Sequence, residues 1–268
     1  MAGQAVKGPH LAHKVSEQLY VSTPTWWLES RFHFSFAEYH DVRNTNFGAL
    51  RVVNDDLVKA GGGFPTHPHR DAEIFSYVVD GELSHKDSMG NGEAVRRGCV
   101  QYMSAGTGVR HSEYNHGDST LRFLQVWLMP DKRGHTPKYG STEFERSERH
   151  NRWLQILGGT TAPPDWQQNS PGDKLIRLHQ DVNVFVTESD PGAKLRFSLA
   201  PARQAYVVAI EGSAELRSGA GEAEEVATMG ERDAMQLVRG RDVPSGEVTL
   251  AAGPRGVHAM VIEMRQAR

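Results

Sequence analysis

A single cysteine, Cys99, in 268 residues rules out an internal disulfide, so the fold must be held by a packed core. That fits a reducing compartment. Runs of Lys or Arg are missing and the formal charge is −3, which gives direct nucleic-acid binding no electrostatic footing. No window approaches the ~20 consecutive apolar residues of a membrane span. The residues up to Tyr20 carry Lys7, His10, His13, Lys14 and Glu17 rather than the apolar stretch of a secretory signal. The expectation is a soluble protein of the cell interior, cytoplasmic or, in a eukaryote, nuclear, with no membrane partner.

Helical periodicity is scarce too, and strand signals take its place. With 38% hydrophobic residues and 27 glycines, the chain can bury a core and still supply many turns. Residues 1–25 are mixed and are expected to wrap the surface. From Arg31, Phe32, Phe34 and Phe36 alternate with His33, Ser35 and Ala37, the pattern of a half-buried strand. Gly48–Val53 reads as a second strand, ended by Asn54-Asp-Asp56. Gly61-Gly-Gly63 reads as a loop, Asp80-Gly81 and Gly90-Asn-Gly92 as hairpin turns. The spacing predicts an antiparallel all-β barrel or sandwich. A short helix is expected near Glu143–Asn151 and a long loop over 158–173. Leu195–Leu199, Ala205–Ile210, Glu211-Gly212 and Ser213–Leu216 echo the first half, where Ser76–Val79 is followed by Asp80-Gly81 and Glu82-Leu83. Two copies of one fold are expected, residues 1–140 and 141–268.

The chemistry concentrates in His67-Pro-His69 and His111-Ser-Glu113. Residues two apart on a strand share a face, so each pair would place two metal-binding groups side by side. Two such strands facing one another would direct three imidazoles and a carboxylate to one point. That donor set suits Fe, Mn, Ni, Cu or Zn and not Ca or Mg. The second half has no such pair; His179 and His258 stand alone, so one site is expected, in the first half. Glu113 would complete the shell, act as a base for a substrate hydroxyl, or both. Glu73, Phe75 and Tyr77 share the parity of the first pair, which makes Glu73 a candidate support for an imidazole N–H or equally a structural ion pair or turn contact, and the two aromatics candidate cavity walls, although core filling is the commoner use of such residues. His33 and His85 are expected to be satisfied strand histidines, and His135 and His150 to be solvated. Met103 and Trp127 sit in apolar surroundings.

Several stretches carry a wider likeness: Phe64-Pro-Thr-His-Pro-His-Arg-Asp-Ala-Glu-Ile74, Gly81-Glu-Leu-Ser-His-Lys-Asp-Ser-Met-Gly-Asn91, Ser104-Ala-Gly-Thr-Gly-Val-Arg-His-Ser-Glu113, Trp27–Phe36 and Leu50–Asp56. Together they resemble the pirin family of the cupin superfamily, densely over 25–130 and loosely beyond. The resemblance implies a bicupin of two antiparallel, jelly-roll-like β-barrels packed together. It implies one divalent metal, usually Fe2+, on His67, His69, His111 and Glu113. Glu73 stands four rather than five positions after His69, a departure from the general cupin pattern, and Cys99 stands where the family often carries an acid.

Two activities come with that family. One is cleavage of flavonols such as quercetin with O2, as in quercetin 2,3-dioxygenase; the other is a non-enzymatic, iron-dependent regulatory role through protein partners. A storage or stress cupin with a structural metal is a third, weaker option. The enzyme, with a flavonol-like substrate and O2 as partners, is the first expectation.

Overall fold

The computed structural model describes residues 5–161, 166, 168–169 and 172–266. The long loop expected over 158–173 lies in part outside these described residues. Contacts divide the chain into two compact units: Leu19–Phe144 with Leu178–Gln180, and Met1–Gln18 with Glu145–Arg177 and Asp181–Arg268. Among the described residues no helix is long and apolar enough to cross a membrane.

The residues expected to wrap the surface do so in part as strands, most of whose residues are exposed or half-buried. β1 (His10–Lys14) pairs with the strand Ala234–Val238 of the second unit, and β2 (Tyr20–Thr25) pairs with β3 (Leu28–Phe32). The chain continues through β4 (Leu50–Val58), β5 (Gly63–His69), β6 (Glu73–Asp80), β7 (Glu82–Asp87) and β8 (Gly92–Arg96). Then come β9 (Cys99–Ser104), β10 (Val109–Tyr114), β11 (Leu121–Leu128) and β12 (Lys138–Glu143). In the first unit these make a four-stranded sheet, β5-β10-β7-β8, and a seven-stranded sheet, β12-β9-β6-β11-β4-β3-β2. All their pairings are antiparallel.

The strand expected from Arg31 ends where it was meant to begin. β3 closes at Phe32, and beyond it the chain turns, with Ala37 at φ 47° and Phe36 bridging to Tyr39. His33 and Ser35 are as buried as Phe34, so the alternation in sequence is not an alternation of buried and exposed faces. Asn54-Asp-Asp56, expected to end a strand, lies inside β4 with all three residues buried. Asp55 faces away from Asn54 and Asp56 and receives both arms of Arg122 from β11, Nε at 2.9 Å and Nη2 at 2.7 Å. A carboxylate can occupy a strand interior only with such a partner.

In the second unit the strands form one ten-stranded sheet. Its long strands Arg203–Ser218 and Glu247–Arg265 pair along most of their length. Glu211-Gly212 is therefore not a hairpin turn but a bend inside a strand, with Gly212 at φ 76° and the register shifting on either side. In the first unit the matching corner, Gly81 at φ 80°, separates β6 from β7 and sends them to different sheets. The core here gathers Trp153, Trp166, Phe185 and Phe197 with the aliphatic residues of the long strands. The helix expected near Glu143–Asn151 is one turn, Arg146–Arg149.

Arg122→Met would strand the Asp55 carboxylate in the core and should cost about 3–5 kcal/mol in urea unfolding. The double variant Asp55→Leu/Arg122→Met should recover most of that loss. A single variant as stable as the parent would show that the pair does not hold β4 to β11.

Candidate metal centre

The site grows from the pairing of β5 with β10. His67 stands opposite His111 and His69 opposite Val109, but Glu113 stands opposite Phe64. β5 thus carries an extra residue at Pro65–Thr66, the kind of bulge where a strand tolerates proline. Alternation turns Thr66 and Pro68 outward and His67 and His69 inward, and buries His111 and Glu113 on β10. The rings of His67, His69 and His111 lie with centroids 4.5–4.8 Å apart. Their donor nitrogens all fall within 4.8 Å of one another.

Hydrogen-bond partners assign the tautomers. Nδ1 of His67 is 2.8 Å from the Pro65 carbonyl oxygen, which only accepts, so His67 holds its proton on Nδ1 and a lone pair on Nε2. Nε2 of His85 donates to the Asp87 carboxylate at 3.3 Å, and Nδ1 of His85 accepts from the Gln101 amide at 3.0 Å. Nδ1–H of His111 then faces that same His85 nitrogen at 3.5 Å, leaving the lone pair of His111 on Nε2. The two free nitrogens, His67 Nε2 and His111 Nε2, point at each other across 3.1 Å. No proton satisfies both. The separation matches two nitrogens each about 2.1 Å from one ion and at right angles to each other.

Electrostatics keep two of the imidazoles, His69 and His111, in ligand form. Burial, then His67, lowers His69 to about 4. Burial, then His67, His69 and His85, lowers His111 to about 2. Glu113 is not part of that three-histidine group; with His111 and His85 it forms a second one, the donor atoms also within 4.8 Å of one another, so His111 is common to both. Burial pushes the Glu113 carboxyl up to about 7, although the Ser76 hydroxyl at 3.2 Å and the Gln125 amide at 2.9 Å donate to it. The Trp127 indole N–H donates to Gln125 Oε1 at 3.1 Å and so fixes the amide with its NH2 toward Glu113.

These supports come from the facing seven-stranded sheet. Asn54, Gln125, Ser76 and Gln101 stand in register across β4, β11, β6 and β9. They form one polar row facing the histidines. Apolar clusters flank it, one around Phe123, Leu83 and Val78 and one around Ile74, Met103 and Val109 with Trp127 against it. Cys99 belongs to the first cluster, buried and apolar in its surroundings. A cavity of about 520 Å³ opens over His67, His69 and Glu113, walled by Phe32, Phe36, Phe64 and Trp127.

Several sequence expectations need correction. Phe75 and Tyr77 do not line this cavity but fill the core; Ser76, between them, points to Glu113. The turn Arg70–Ala72, with Asp71 at φ 50°, moves the chain from one sheet to the other, so parity cannot be counted across it. Glu73 does hold an imidazole, but that of His179. It accepts from Tyr102 (2.5 Å), Ser104 (2.6 Å) and the backbone and ring of His179 (3.0 and 3.2 Å). His135 is not solvated: it stacks on His179 at 4.0 Å and bonds Asp131. His85 is a satisfied strand histidine as expected, yet it also orients His111. Its i, i+2 relation to Asp87 was the available signal. The polar row itself was missed, although Gln125 between Phe123 and Trp127 breaks an otherwise apolar face.

The pirin family pattern matches residues 13–128, and that of the quercetinase C-terminal cupin domain matches 167–252. A relative in Pseudomonas aeruginosa, provisionally named a quercetin 2,3-dioxygenase, is 40% identical over 223 residues, 83% of this chain and 88% of that protein. The quercetin 2,3-dioxygenase of Escherichia coli K12 is 44% identical over 160 residues, 59% of this chain and 64% of that protein. Among solved structures, the bacterial pirin YhhW of Escherichia coli in complex with nickel(II) aligns with a TM-score of 0.80 at 28% identity, covering 96% of this chain and 100% of its own. Matched across its histidine strands by the family pattern and over most of its length by a curated relative, the chain belongs to the pirin family.

Proposed function

We propose that this chain is a metal-dependent dioxygenase that opens the heterocyclic ring of a quercetin-like flavonol with O2. One divalent ion would be held by His67, His69, His111 and Glu113. The observation that carries the reading is the pair of Nε2 lone pairs facing across 3.1 Å at the foot of an aromatic-walled cavity. Three nitrogens and one carboxylate oxygen fit a first-row ion with coordination positions left over. The nickel complex of the related pirin supports a divalent ion. Fe2+ is the ion we assign, since a few nitrogen and carboxylate donors with vacant positions are the usual setting for iron and O2.

A bound ion would supply the positive charge that lowers the pKa of a flavonol hydroxyl and the redox chemistry for O2. The chain supplies the rest. Glu113, held by Ser76 and Gln125, would take the hydroxyl proton. Phe36 meets Trp127 edge-on at 5.5 Å, and Trp127 meets His69 edge-on at 4.8 Å, giving flat apolar walls suited to a planar aromatic ligand. Such a cavity favours a small-molecule reaction over a purely regulatory use of the ion.

The metal-free protein carries a proton on Glu113 below about pH 7, whereas His69 and His111 stay neutral to far lower pH. Ion binding must expel the Glu113 proton, so affinity should fall as pH drops below about 7, roughly tenfold per pH unit, and more steeply below about 4 as His69 protonates. Calorimetric nickel(II) titration at about pH 6, in buffers of different ionisation enthalpy, should show about one proton released per ion, and almost none for Glu113→Gln. Equal release by both proteins would remove Glu113 from the set.

Iron-loaded protein should bleach the quercetin absorption band with matching O2 uptake. Glu113→Gln, saturated with the ion, should slow this about 100-fold or more. Absence of bleaching and uptake with iron, nickel, manganese and copper alike would overturn the proposed activity.

A further inference from the structure

The cavity wall contributed by β4 is polar in a way that neither the ion nor Glu113 requires. Asn54 and Asp56 point inward together, while Asp55 between them is taken up by Arg122. Both inward residues are almost fully buried, at 3% and 2% exposure. Register sets Ser30 beside Asp56, and Phe32 and Gln125 on either side of Asn54. The Ser30 hydroxyl donates to Asp56 Oδ1. Asn54 Oδ1 has no hydrogen-bond partner among the described residues. No basic side chain pairs with Asp56 among them either. Its carboxyl is pushed up to about 7, first by burial, against the pull of Ser30, with Asp55 and Glu113 adding to the rise.

A buried acceptor without a donor is unfavourable in any fold. Here Asn54 Oδ1 is such an acceptor, and the Asp56 carboxyl, held by Ser30, stands beside it on one inward strand face among the aromatic residues Phe32, Phe36 and Trp127. The missing donors are therefore sought in the ligand. Its rest must be flat and apolar to fit those walls, and ring O–H groups are the donors such a ligand can carry.

We infer that Asn54 and Asp56, with Ser30, form a specificity subsite that reads ring hydroxyls of a polyphenolic substrate other than the hydroxyl presented to Glu113. This rests on the flavonol reading of the site and adds which members of that class are preferred: those with additional hydroxyls on their rings. A pocket built to hydrogen-bond a hydroxyl discriminates strongly against an analogue without it, because its own acceptors are then left unpaired.

Quercetin and 3-hydroxyflavone separate the subsite from the reaction, since the second carries only the reacting hydroxyl. Both ligands should be titrated into metal-free protein by tryptophan fluorescence quenching, with Trp127 in the wall as reporter, and kcat/KM measured with iron-loaded protein. The parent should bind quercetin at least about tenfold more tightly than 3-hydroxyflavone. Asn54→Leu/Asp56→Leu should erase most of that difference, with kcat/KM falling at least about tenfold further for quercetin than for 3-hydroxyflavone. Asp56→Asn, which keeps shape and polarity, provides a second variant if the double one fails to fold, and should shift the binding ratio in the same direction. Equal affinities in the parent, or equal losses for both ligands in the variants, would overturn the subsite even with turnover intact. A binding preference that the variants abolish would uphold the subsite even if no turnover were found, and only the dioxygenase reading would then fall.

Discussion

Two imidazole nitrogens aimed at each other with no proton between them set the terms for this unit. Each lone pair is fixed from behind, His67 by a carbonyl and His111 by His85, and burial keeps the His111 ring from escaping by protonation. Rotation of one ring would relieve the repulsion but break the hydrogen bond that orients it. A cation turns the same arrangement from repulsive to attractive. The need for one is thus written into second-layer contacts as much as into the donors themselves.

The polar row of Asn54, Gln125, Ser76 and Gln101 is the counterpart on the opposite sheet. Four polar side chains in register across four strands would weaken an ordinary sandwich core. They are tolerated here because three of them hold a site residue or its support: Gln125 and Ser76 hold Glu113, and Gln101 holds His85. Apolar clusters above and below supply the burial that the middle layer forgoes. Asn54, at the end of the row toward β3, and Gln101 each keep a side-chain oxygen with no hydrogen-bond partner among the described residues.

The histidine strands were legible because the signal is local. Within β5 and within β10, parity alone decides which side chains share a face, and His67, His69, His111 and Glu113 follow from it. The rest depended on non-local facts. Parity counted from His69 to Phe75 failed at a turn that switches sheets. Asn54-Asp-Asp56 looked like a strand end because the sequence does not show that Arg122 is waiting 67 positions away. The partner of Glu73 is a histidine 106 positions later, and β1 pairs with residues more than two hundred positions on. All-β character, turns and the bend at Gly212 could be read from glycine placement, although whether that bend ends a strand could not.

The knot around Glu73 bears on the order in which the molecule can be completed. Two of its four donors belong to His179, which leaves the ribosome long after β12 has been made. Until then, a carboxylate destined for the interior lacks half of its hydrogen-bond shell, and the first unit remains unfinished although its metal-binding strands are all present. β1 waits longer still, an unpaired edge until Ala234–Val238 is synthesised. Nascent chains stalled before residue 179 should therefore be the species most in need of a chaperone.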